Sequence, residues 1–485
     1  MTESDDGEGP SSRRSFRTAP RRAYATARQV ALTVLTRVAR DGAYADRALD
    51  VALERSSLSE RDKALATELV YGTLRRQLYL DFLIGELADR SFRKTPPVVR
   101  ESLRLGAYQI LETRVPPHAA VNEAVALVSQ DYRHAAGFVN AVLRKLAVLV
   151  AENKLPEPAN SPDEPWAGLA IKGGVAPWIV AELAAQRGAQ AVEPWLAANN
   201  VRPPLSLRVC GHRTTRAALL HTFEGQGVEV EAPSAFPDGL RLVGAGNVAD
   251  LPGFAEGHFV VQDLAAQLVA RLAAPASGDR VWDVCAAPGG KAMHLAELVG
   301  PEGRVLASDL HAAKTRLISD TAQRLHLNNV TAVPLDATDE ESVHETLARH
   351  GMPEVDVVVL DAPCTGLGTL RRNPELRIAH PEQMQELVGI QAKLLTSAAT
   401  TVRAGGALIY AVCTFTRAEG PEQVAKFLTS HPEFVAELPT DPLLGAYLEE
   451  QHTLGQHFTA LRTWTDRDGT DGFFGVRLCH RSGAR

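Results

Sequence analysis

Two cysteines each follow an apolar run of the kind that forms a buried strand, and their thiols are the strongest candidates for chemistry in this chain. Cys364 follows residues 355–360 through Asp361, and Cys413 follows residues 407–412. If the two runs are neighbouring parallel strands, both thiols come to the same edge of one sheet. A thiolate there can attack an electrophilic carbon, while the second thiol or a carboxylate moves a proton. The spacing therefore predicts covalent catalysis by one member of a cysteine pair.

A second candidate site is the loop that follows the apolar run at residues 280–284. Its sequence is Asp283-Val-Cys-Ala-Ala-Pro-Gly-Gly-Lys291, and we expect a helix from about residue 292. Gly289 and Gly290 allow a tight turn and a close approach to a ligand at the carboxyl edge of a sheet. Asp309 closes the next run, and an acid at that position can accept hydrogen bonds from both hydroxyls of a ribose. The loop therefore predicts a cofactor site.

The loop sequence also narrows the class of cofactor. It lacks the GxGxxG pattern of dinucleotide-binding loops, and it departs from a phosphate-binding loop at Cys285 and at Ala292. A cofactor with a ribose and no pyrophosphate remains, and S-adenosylmethionine fits that description. Asp336, at the end of the third run, can reach the edge of an adenine.

A methyl donor beside two thiols indicates a specific reaction. Carbon C5 of cytosine is a poor nucleophile, but a thiolate that adds to C6 converts the ring into an enamine that can take a methyl group. A base must then remove the C5 proton, and a second thiol or a carboxylate beside the ring suits that step.

The remaining sequence predicts several domains. Apolar residues recur at helical spacing, without a strand pattern, from Tyr24 to about Val150, which predicts about six helices. The second half alternates apolar runs with amphipathic helices, which predicts a parallel sheet covered on both faces. The predicted divisions are a disordered basic tail at 1–23, a helical domain at 24–150, a linker at 151–167, a small α+β subdomain at 168–277 and an α/β domain at 278–485.

Charge and cysteine usage limit the partners and the compartment. The net charge of −7 is unevenly distributed, since residues 1–150 carry +5 and the remainder −12. Because the N-terminal third is basic and the rest of the chain is acidic, we expect the N-terminal third to bind an anionic partner. Five scattered cysteines without a CxxC pair argue against disulfides and a metal site, and they fit the cytoplasm. No run of 18 apolar residues and no secretory signal is found, so we expect no membrane association.

Three motifs give a resemblance to a known family. The segments DVCAAPGGK, LDAPCTGLGTLRRNPE and YAVCTFT resemble motifs I, IV and VI of RNA 5-methylcytosine methyltransferases. Within that group the chain resembles the RsmB (Fmu/Sun) family, which methylates a cytosine of bacterial small-subunit (16S) ribosomal RNA. LVYGTLR, LRLGAYQI, VPPHAAVNEAV and GFVNAVLRK resemble the NusB-like RNA-binding domain at the front of that family, and VVQDLAAQLVA and DGFFGVRL match it as well.

The resemblance implies a fold and site roles. It implies an all-α NusB-like domain, a small α+β subdomain and a Rossmann-like class I methyltransferase domain. Cys413 would be the nucleophile, and Cys364 would assist proton loss and enzyme release. Asp361 would contact both the cofactor and the cytosine edge. The other residues implied to hold S-adenosylmethionine are Cys285, Ala286, Ala287, Pro288, Gly289, Gly290, Lys291, Asp309 and Asp336.

The chain departs from the family pattern in two places. Ala418-Glu419-Gly420 stands where the family often has two acids and an asparagine, so any role of that asparagine is lost or moved. Ala176 stands where a histidine is expected before Pro177.

Alternative functions remain open at this point. The same chemistry on transfer RNA is one, and a NusB-type RNA-binding or antitermination factor with an inert methyltransferase half is another. A DNA-type enzyme would use Cys364 as nucleophile. We expect the partner to be free 16S RNA rather than an assembled subunit, and the protein to be a cytoplasmic monomer without a metal.

Overall fold

The computed structural model describes residues 26–88, 92–129, 131–243 and 247–481. Within these ranges the chain forms two compact units. The described residues of Met1–Gly72 and Arg90–Val148 form one unit, and those of Thr73–Asp89 and Leu149–Arg485 form the other. The basic segment 1–23, predicted to be a disordered tail, lies outside the described residues.

The front of the chain is helical, as the apolar spacing predicts. Thr26 caps the first helix by accepting a hydrogen bond from the backbone N–H of Gln29, and Gly42 ends it in a left-handed conformation. The helices are α1 (Ala27–Asp41), α2 (Ala45–Glu54), α3 (Glu60–Arg75), α4 (Gln77–Leu87), α5 (Pro97–Glu112), α6 (Pro117–Ser129) and α7 (Ala136–Ala151). The helix α4 groups with the second unit, where it packs against α8 (Ala167–Gly173).

One helical stretch, Arg133–Ala151, is long and apolar enough to cross a membrane, and the bent pair formed by α8 and the following helix also passes that test. This is weak evidence for a membrane span, because the core helix of a globular domain satisfies the same criteria. Leu143 of α7 is fully buried and lies against Gly106 of α5. Arg144 and Lys145 follow it directly, which is the pattern of an amphipathic core helix.

A small antiparallel sheet follows in the second unit. Its strands are β1 (Leu205–Val209), β2 (Val230–Glu231), β3 (Gly239–Leu242) and β4 (Phe259–Val261), in the order β2-β3-β1-β4. The helices around it are α9 (Pro177–Arg187), α10 (Val192–Asn199) and α11 (Arg216–Gly225). The helices α9 and α10 are separate, because Gly188 at φ 79° ends α9 before α10 begins.

The large sheet carries the candidate site. Its order is β11-β12-β13-β9-β8-β5-β6-β7, and β10 also pairs with β13. Five strands are parallel: β5 (Arg280–Asp283), β6 (Arg304–Asp309), β7 (Val330–Pro334), β8 (Val355–Asp361) and β9 (Val402–Val412). The others are β10 (Phe434–Glu437), β11 (Leu448–Thr453), β12 (Gln456–Thr463) and β13 (Phe473–His480).

The expected all-parallel sheet is therefore corrected at one end. Strand β13 runs antiparallel to β9, and β10 and β12 run antiparallel to β13. The short strand β10 and the mixed polar hairpin of β11 and β12 lack the continuous apolar runs on which the prediction depended. The mixed sheet still buries both faces, with one apolar cluster around Leu268 and Met293 and another around Leu360 and Leu394.

Helices connect and cover these strands. They are α12 (Leu264–Ala273), α13 (Gly290–Val299), α14 (Ala312–Leu325), α15 (Glu340–Arg349), α16 (Pro381–Ala399), α17 (Pro421–Ser430) and the short α18 (Thr465–Asp468). Because β5, β6, β8 and β9 are parallel neighbours, their carboxyl ends meet at one edge. The cofactor loop and both cysteine segments leave the sheet at that edge.

Candidate active site

The two cysteines that the sequence singles out lie side by side. In the register between β8 and β9, Asp361 lies opposite Ala411, so Cys364 and Cys413 follow at the same edge. Their Sγ atoms are 3.4 Å apart and share a hydrogen bond. Both residues are half-buried. Two thiols at this distance can hold one proton between them.

The segment after Cys364 is held by a close backbone approach at Gly368. Its N–H donates to the carbonyl of Cys413 at 3.0 Å, and its carbonyl accepts from the N–H of Gly472 at 2.8 Å. A Cβ atom on residue 368 would lie 1.9 Å from the carbonyl oxygen of Gly472. Only glycine therefore allows this segment to follow the end of β9 so closely.

An ion pair lies beside the thiols. The Nζ of Lys291 is 2.5 Å from Oδ2 of Asp361, and the ammonium also lies over the ring of Phe473 at 5.5 Å. Burial is the largest influence on the pKa of Lys291 and lowers it, but Asp361, Asp283 and Cys413 together raise it above its ordinary value. Lys291 therefore stays cationic, and Cys413 is among the groups that it faces.

The surroundings of Cys364 have the opposite charge. The hydrogen bond with Cys413 is the largest cause of a pKa raised well above the ordinary value of a thiol, and burial is the next. The negative charges of Cys413, Glu419 and Asp361 act in the same direction. The geometry thus distinguishes two thiols that look equivalent in the sequence, since Cys364 faces carboxylates and Cys413 faces an ammonium.

The cofactor loop forms the tight turn that its glycines predict. The N–H of Ala286 donates to the carbonyl of Ser308 at 2.8 Å, and the N–H of Gly289 donates to the carbonyl of Ala286 at 2.7 Å. Gly289 has φ 110°, and α13 begins at the next residue. Burial raises the pKa of the Cys285 thiol, so this third cysteine of the site is not a prepared nucleophile.

One buried carboxylate in this region has no donor. Asp283 is 0% exposed, and neither Oδ1 nor Oδ2 has a hydrogen-bond partner. Burial raises its pKa from the ordinary 3.8 to about 7, with Lys291 lowering it and Asp361 and Asp309 raising it. A buried polar group of this kind costs free energy unless a partner is supplied. The ammonium group of S-adenosylmethionine is such a partner, so these residues fit the predicted cofactor.

The other two predicted cofactor acids differ in their surroundings. Asp309 is 8% exposed, and its Oδ1 accepts from the backbone N–H of His311 at 3.1 Å and lies 3.4 Å from Nζ of Lys314. Asp336 is exposed, and its Oδ1 accepts from the backbone N–H and the hydroxyl of Thr338. Asp309 is the last residue of β6, as expected, whereas Asp336 lies two residues beyond the end of β7.

Sequence reasoning missed the role of two further groups. Glu419, noted only as part of a departure from the family pattern, is fully buried beside the thiol pair. Arg372 makes 2.7 Å contacts to both Asp263 and Asp471, joining the segment after Cys364 to the start of α12 and to the loop before β13. The only signals were that Arg372 lies in a segment quoted for the resemblance and that Glu419 lies in a departure from the family pattern. Among the described residues, no group of three His, Cys, Asp or Glu side chains could hold a metal.

Comparison with protein families agrees with the predicted architecture. The family described as 16S rRNA methyltransferase RsmB/F matches residues 270–479. The NusB family matches residues 25–148, and the ferredoxin-like domain of RsmF/B-like methyltransferases matches residues 176–249. The helical NusB domain, the small α+β subdomain and the Rossmann-like methyltransferase domain are thus confirmed as the fold.

Curated proteins match almost the whole chain. The "Probable ribosomal RNA small subunit methyltransferase B" of Synechocystis is 36% identical over 85% of this chain and 91% of its own length. The protein of the same name from Bacillus subtilis is 33% identical over 92% and 97%.

Solved structures share the fold. The crystal structure of PH0851 aligns with a TM-score of 0.77 at 24% identity, covering 94% of this chain and 100% of that one. The structure of NSun6 from Pyrococcus horikoshii with SFG aligns with a TM-score of 0.54 at 19% identity, covering 62% and 97%. The chain belongs to the RsmB/F family of 16S rRNA methyltransferases, and its cofactor is S-adenosylmethionine.

Proposed function

We propose that this protein methylates C5 of a cytosine in 16S ribosomal RNA through a covalent bond between Cys413 and C6 of the ring. The observation that carries the proposal is the thiol pair, with its 3.4 Å separation and its unequal charge surroundings. Methyl transfer to another atom, such as a nitrogen of the base, would not need a second thiol 3.4 Å from the first.

The charge surroundings support Cys413 as the nucleophile. A pair that shares one proton carries it where a negative charge is least stable, which is beside Asp361 and Glu419 at Cys364. The negative charge then resides on Cys413, which interacts with Lys291. Because the thiolate is the reactive form, Cys413 attacks C6.

Asp361 supports the attack through its free carboxylate oxygen. Its Oδ2 is held by Lys291, while its Oδ1 is buried and has no donor. A cytosine edge would satisfy that oxygen. As the Cys413–C6 bond forms, Asp361 passes a proton to ring N3, and Cys364 gives up its own proton to Asp361. This transfer leaves a neutral enamine and a Cys364 thiolate.

When bound, S-adenosylmethionine would supply an electrophilic methyl group to C5 of the enamine, and cleavage of its sulfur–methyl bond would leave a neutral thioether. The Cys364 thiolate then accepts the C5 proton. The electrons of that C–H bond restore the C5–C6 double bond, and the Cys413–C6 bond breaks. Cys364 is again a thiol, Cys413 is again a thiolate, and N3 returns its proton to solvent. A thiol with a raised pKa is the better base for this last step.

The substrate class rests on family membership and on the front of the chain. The NusB family matches a segment within the basic N-terminal third, and the relatives are named for the small ribosomal subunit. The cytoplasmic location, the monomeric state, the absence of a metal and the preference for free 16S RNA over an assembled subunit stay predictions.

A denaturing gel with labelled 16S RNA and S-adenosylmethionine tests the mechanism. We expect Cys413→Ala to give neither product nor adduct, because no enamine can form. We expect Cys364→Ala to attack and methylate and then to accumulate a protein–RNA adduct that survives denaturation, because the C5 proton has no acceptor.

Each alternative gives a different gel. An adduct with Cys413→Ala and none with Cys364→Ala would reverse the two roles, as in the DNA-type arrangement. Methylation by both variants without an adduct would refute covalent catalysis. Transfer RNA offered in parallel tests the other substrate, and an unmodified protein that methylates neither RNA would support an inert RNA-binding factor.

A further inference from the structure

A fully buried carboxylate, Glu419, adjoins the thiol pair and takes no part in the bond-forming and proton-transfer steps above. Its Oε1 accepts the backbone N–H of Thr365 at 2.8 Å and the amide of Gln391 at 3.2 Å. Its Oε2 accepts the hydroxyls of Thr365 at 2.5 Å and Thr416 at 2.8 Å. All four donors are neutral, so the burial of this side chain is not explained by an ion pair with any of them.

Hydrogen-bond donors surround both oxygens of the Glu419 side chain. The hydroxyl of Thr365 lies within hydrogen-bond distance of Glu419 Oε2 and is also 2.9 Å from the hydroxyl of Thr414. An ionised carboxylate has about four acceptor positions, and four donors fill them here.

These hydrogen bonds join the two segments that carry the thiols. Thr365 directly follows Cys364, and Thr414 directly follows Cys413. Thr365 contacts both Glu419 and Thr414, so the three side chains form a bridge one residue beyond the sulfur atoms.

The bridge is itself anchored in the core. The hydroxyl of Tyr410 on β9 donates to the backbone carbonyl of Glu419 at 2.7 Å. Gln391 of α16 donates to Glu419 and also to the carbonyl of Pro363 at 2.9 Å, directly before Cys364. Tyr410 and Gln391 are both 0% exposed. The Glu419 carboxylate therefore has little freedom to move away from the thiols.

Its charge also acts on one thiol in particular. Glu419 is among the causes of the raised pKa of Cys364, after the hydrogen bond with Cys413 and burial. On the Cys413 side the facing charge is the Lys291 ammonium. The carboxylate thus opposes ionisation of Cys364 and leaves the anion to Cys413.

We propose that Glu419 is the positioning residue of the thiol pair: its carboxylate fixes the spacing of Cys364 and Cys413 and keeps their shared proton on Cys364. This inference rests on the proposed covalent function, and it describes the protonation state of the two thiols before the reaction begins. Gly420, which has no side chain, stands where the family pattern often has an asparagine.

Alkylation of Cys364 measures the effect of the charge without RNA or cofactor. In the full-length Cys413→Ala protein, the rate of carbamidomethylation by iodoacetamide is followed against pH, with the modified peptide identified by mass spectrometry. We expect addition of Glu419→Gln to lower the midpoint for Cys364 by about one pH unit or more, since a buried negative charge is removed.

A matched control separates charge from a lost hydrogen bond. Thr416→Val removes one donor to Glu419 and keeps the carboxylate, so the Cys364 midpoint should stay within about 0.3 pH unit of the parent. A midpoint unchanged by Glu419→Gln overturns the charge role, and an equal shift with Thr416→Val assigns the effect to local disruption and overturns it too.

Glu419→Asp tests positioning and covers the case in which Glu419→Gln does not fold. It keeps the charge but withdraws the carboxylate by one methylene. In a protein with both cysteines, we expect single-turnover methylation slowed at least about tenfold with an unchanged Cys364 midpoint in the Cys413→Ala background. A normal turnover rate overturns the positioning role. Failure of the covalent mechanism would appear instead in the Cys413→Ala gel, which does not involve Glu419.

Discussion

The pH dependence of cofactor binding should reveal the unpartnered Asp283. Its pKa is raised from 3.8 to about 7 by burial, so much of the cofactor-free protein carries a neutral Asp283 below neutrality. S-adenosylmethionine brings positive charge and therefore favours the ionised form. With a pKa of about 7, the ionised fraction falls from about nine-tenths at pH 8 to about one-tenth at pH 6. We expect the dissociation constant to be about tenfold larger at pH 6 than at pH 8, or about 1.4 kcal/mol.

Isothermal titration calorimetry at the two pH values measures this difference directly. The amino group of the cofactor also titrates at about pH 8. It loses its positive charge as the pH rises, so its effect on the affinity is opposite to that of Asp283. Asp283→Asn supplies the control, because it keeps the shape and cannot ionise. An affinity of the unmodified protein that does not change with pH, or an equal change in Asp283→Asn, would refute the argument.

The same shift predicts how the stability of the cofactor-free protein changes with pH. A carboxyl group whose pKa is raised on folding binds its proton more tightly in the folded state. Its contribution is fully present below its ordinary pKa of 3.8 and is lost as pH rises through about 7. Thermal melting should show that Asp283→Asn removes this loss, and saturating cofactor should reduce it in the unmodified protein.

Two substitutions test other parts of the site. Asp309→Ala should weaken S-adenosylmethionine binding by about 1–3 kcal/mol, because the ribose hydroxyls lose their acceptor, and calorimetry with unchanged affinity would remove Asp309 from the site. Arg372→Ala should lower the free energy of unfolding by about 3–5 kcal/mol, because Asp263 and Asp471 are left buried without their partner. Lys63→Ala, which breaks an exposed pair, should cost less than about 1 kcal/mol in the same urea titration, and equal losses would contradict the role of burial.

Local patterns in the sequence predicted most of the elements that hold the site. The five parallel strands and the glycine turn before α13 were predictable because apolar runs and left-handed turns depend on near neighbours in the chain. The cysteines were recognisable for the same reason, since each follows a strand. Antiparallel β10 to β13 were not predictable as such, because short and partly polar strands acquire their pairing only against the rest of the sheet.

The domain to which a helix belongs also depended on packing. Helix α4 continues the helical front of the chain in sequence, yet it packs against α8. Arg76, one residue before α4, donates to the backbone carbonyl of Lys172 in α8. The periodicity of residues 77–87 does not indicate which helix will pack against the apolar face, because that helix lies far away in the chain.

The chemistry divides in the same way. The sequence alone determined that two thiols, a glycine loop and several acids would meet at one sheet edge. Only the tertiary structure decided that the sulfur atoms, 49 residues apart, lie 3.4 Å from each other. It also decided that Asp283 has no donor and that Glu419 is buried against the Cys364 side. The sequence specifies which residue types are present and where in the chain they lie. Their burial and their nearest charges arise only when distant segments pack together, and these determine the protonation states.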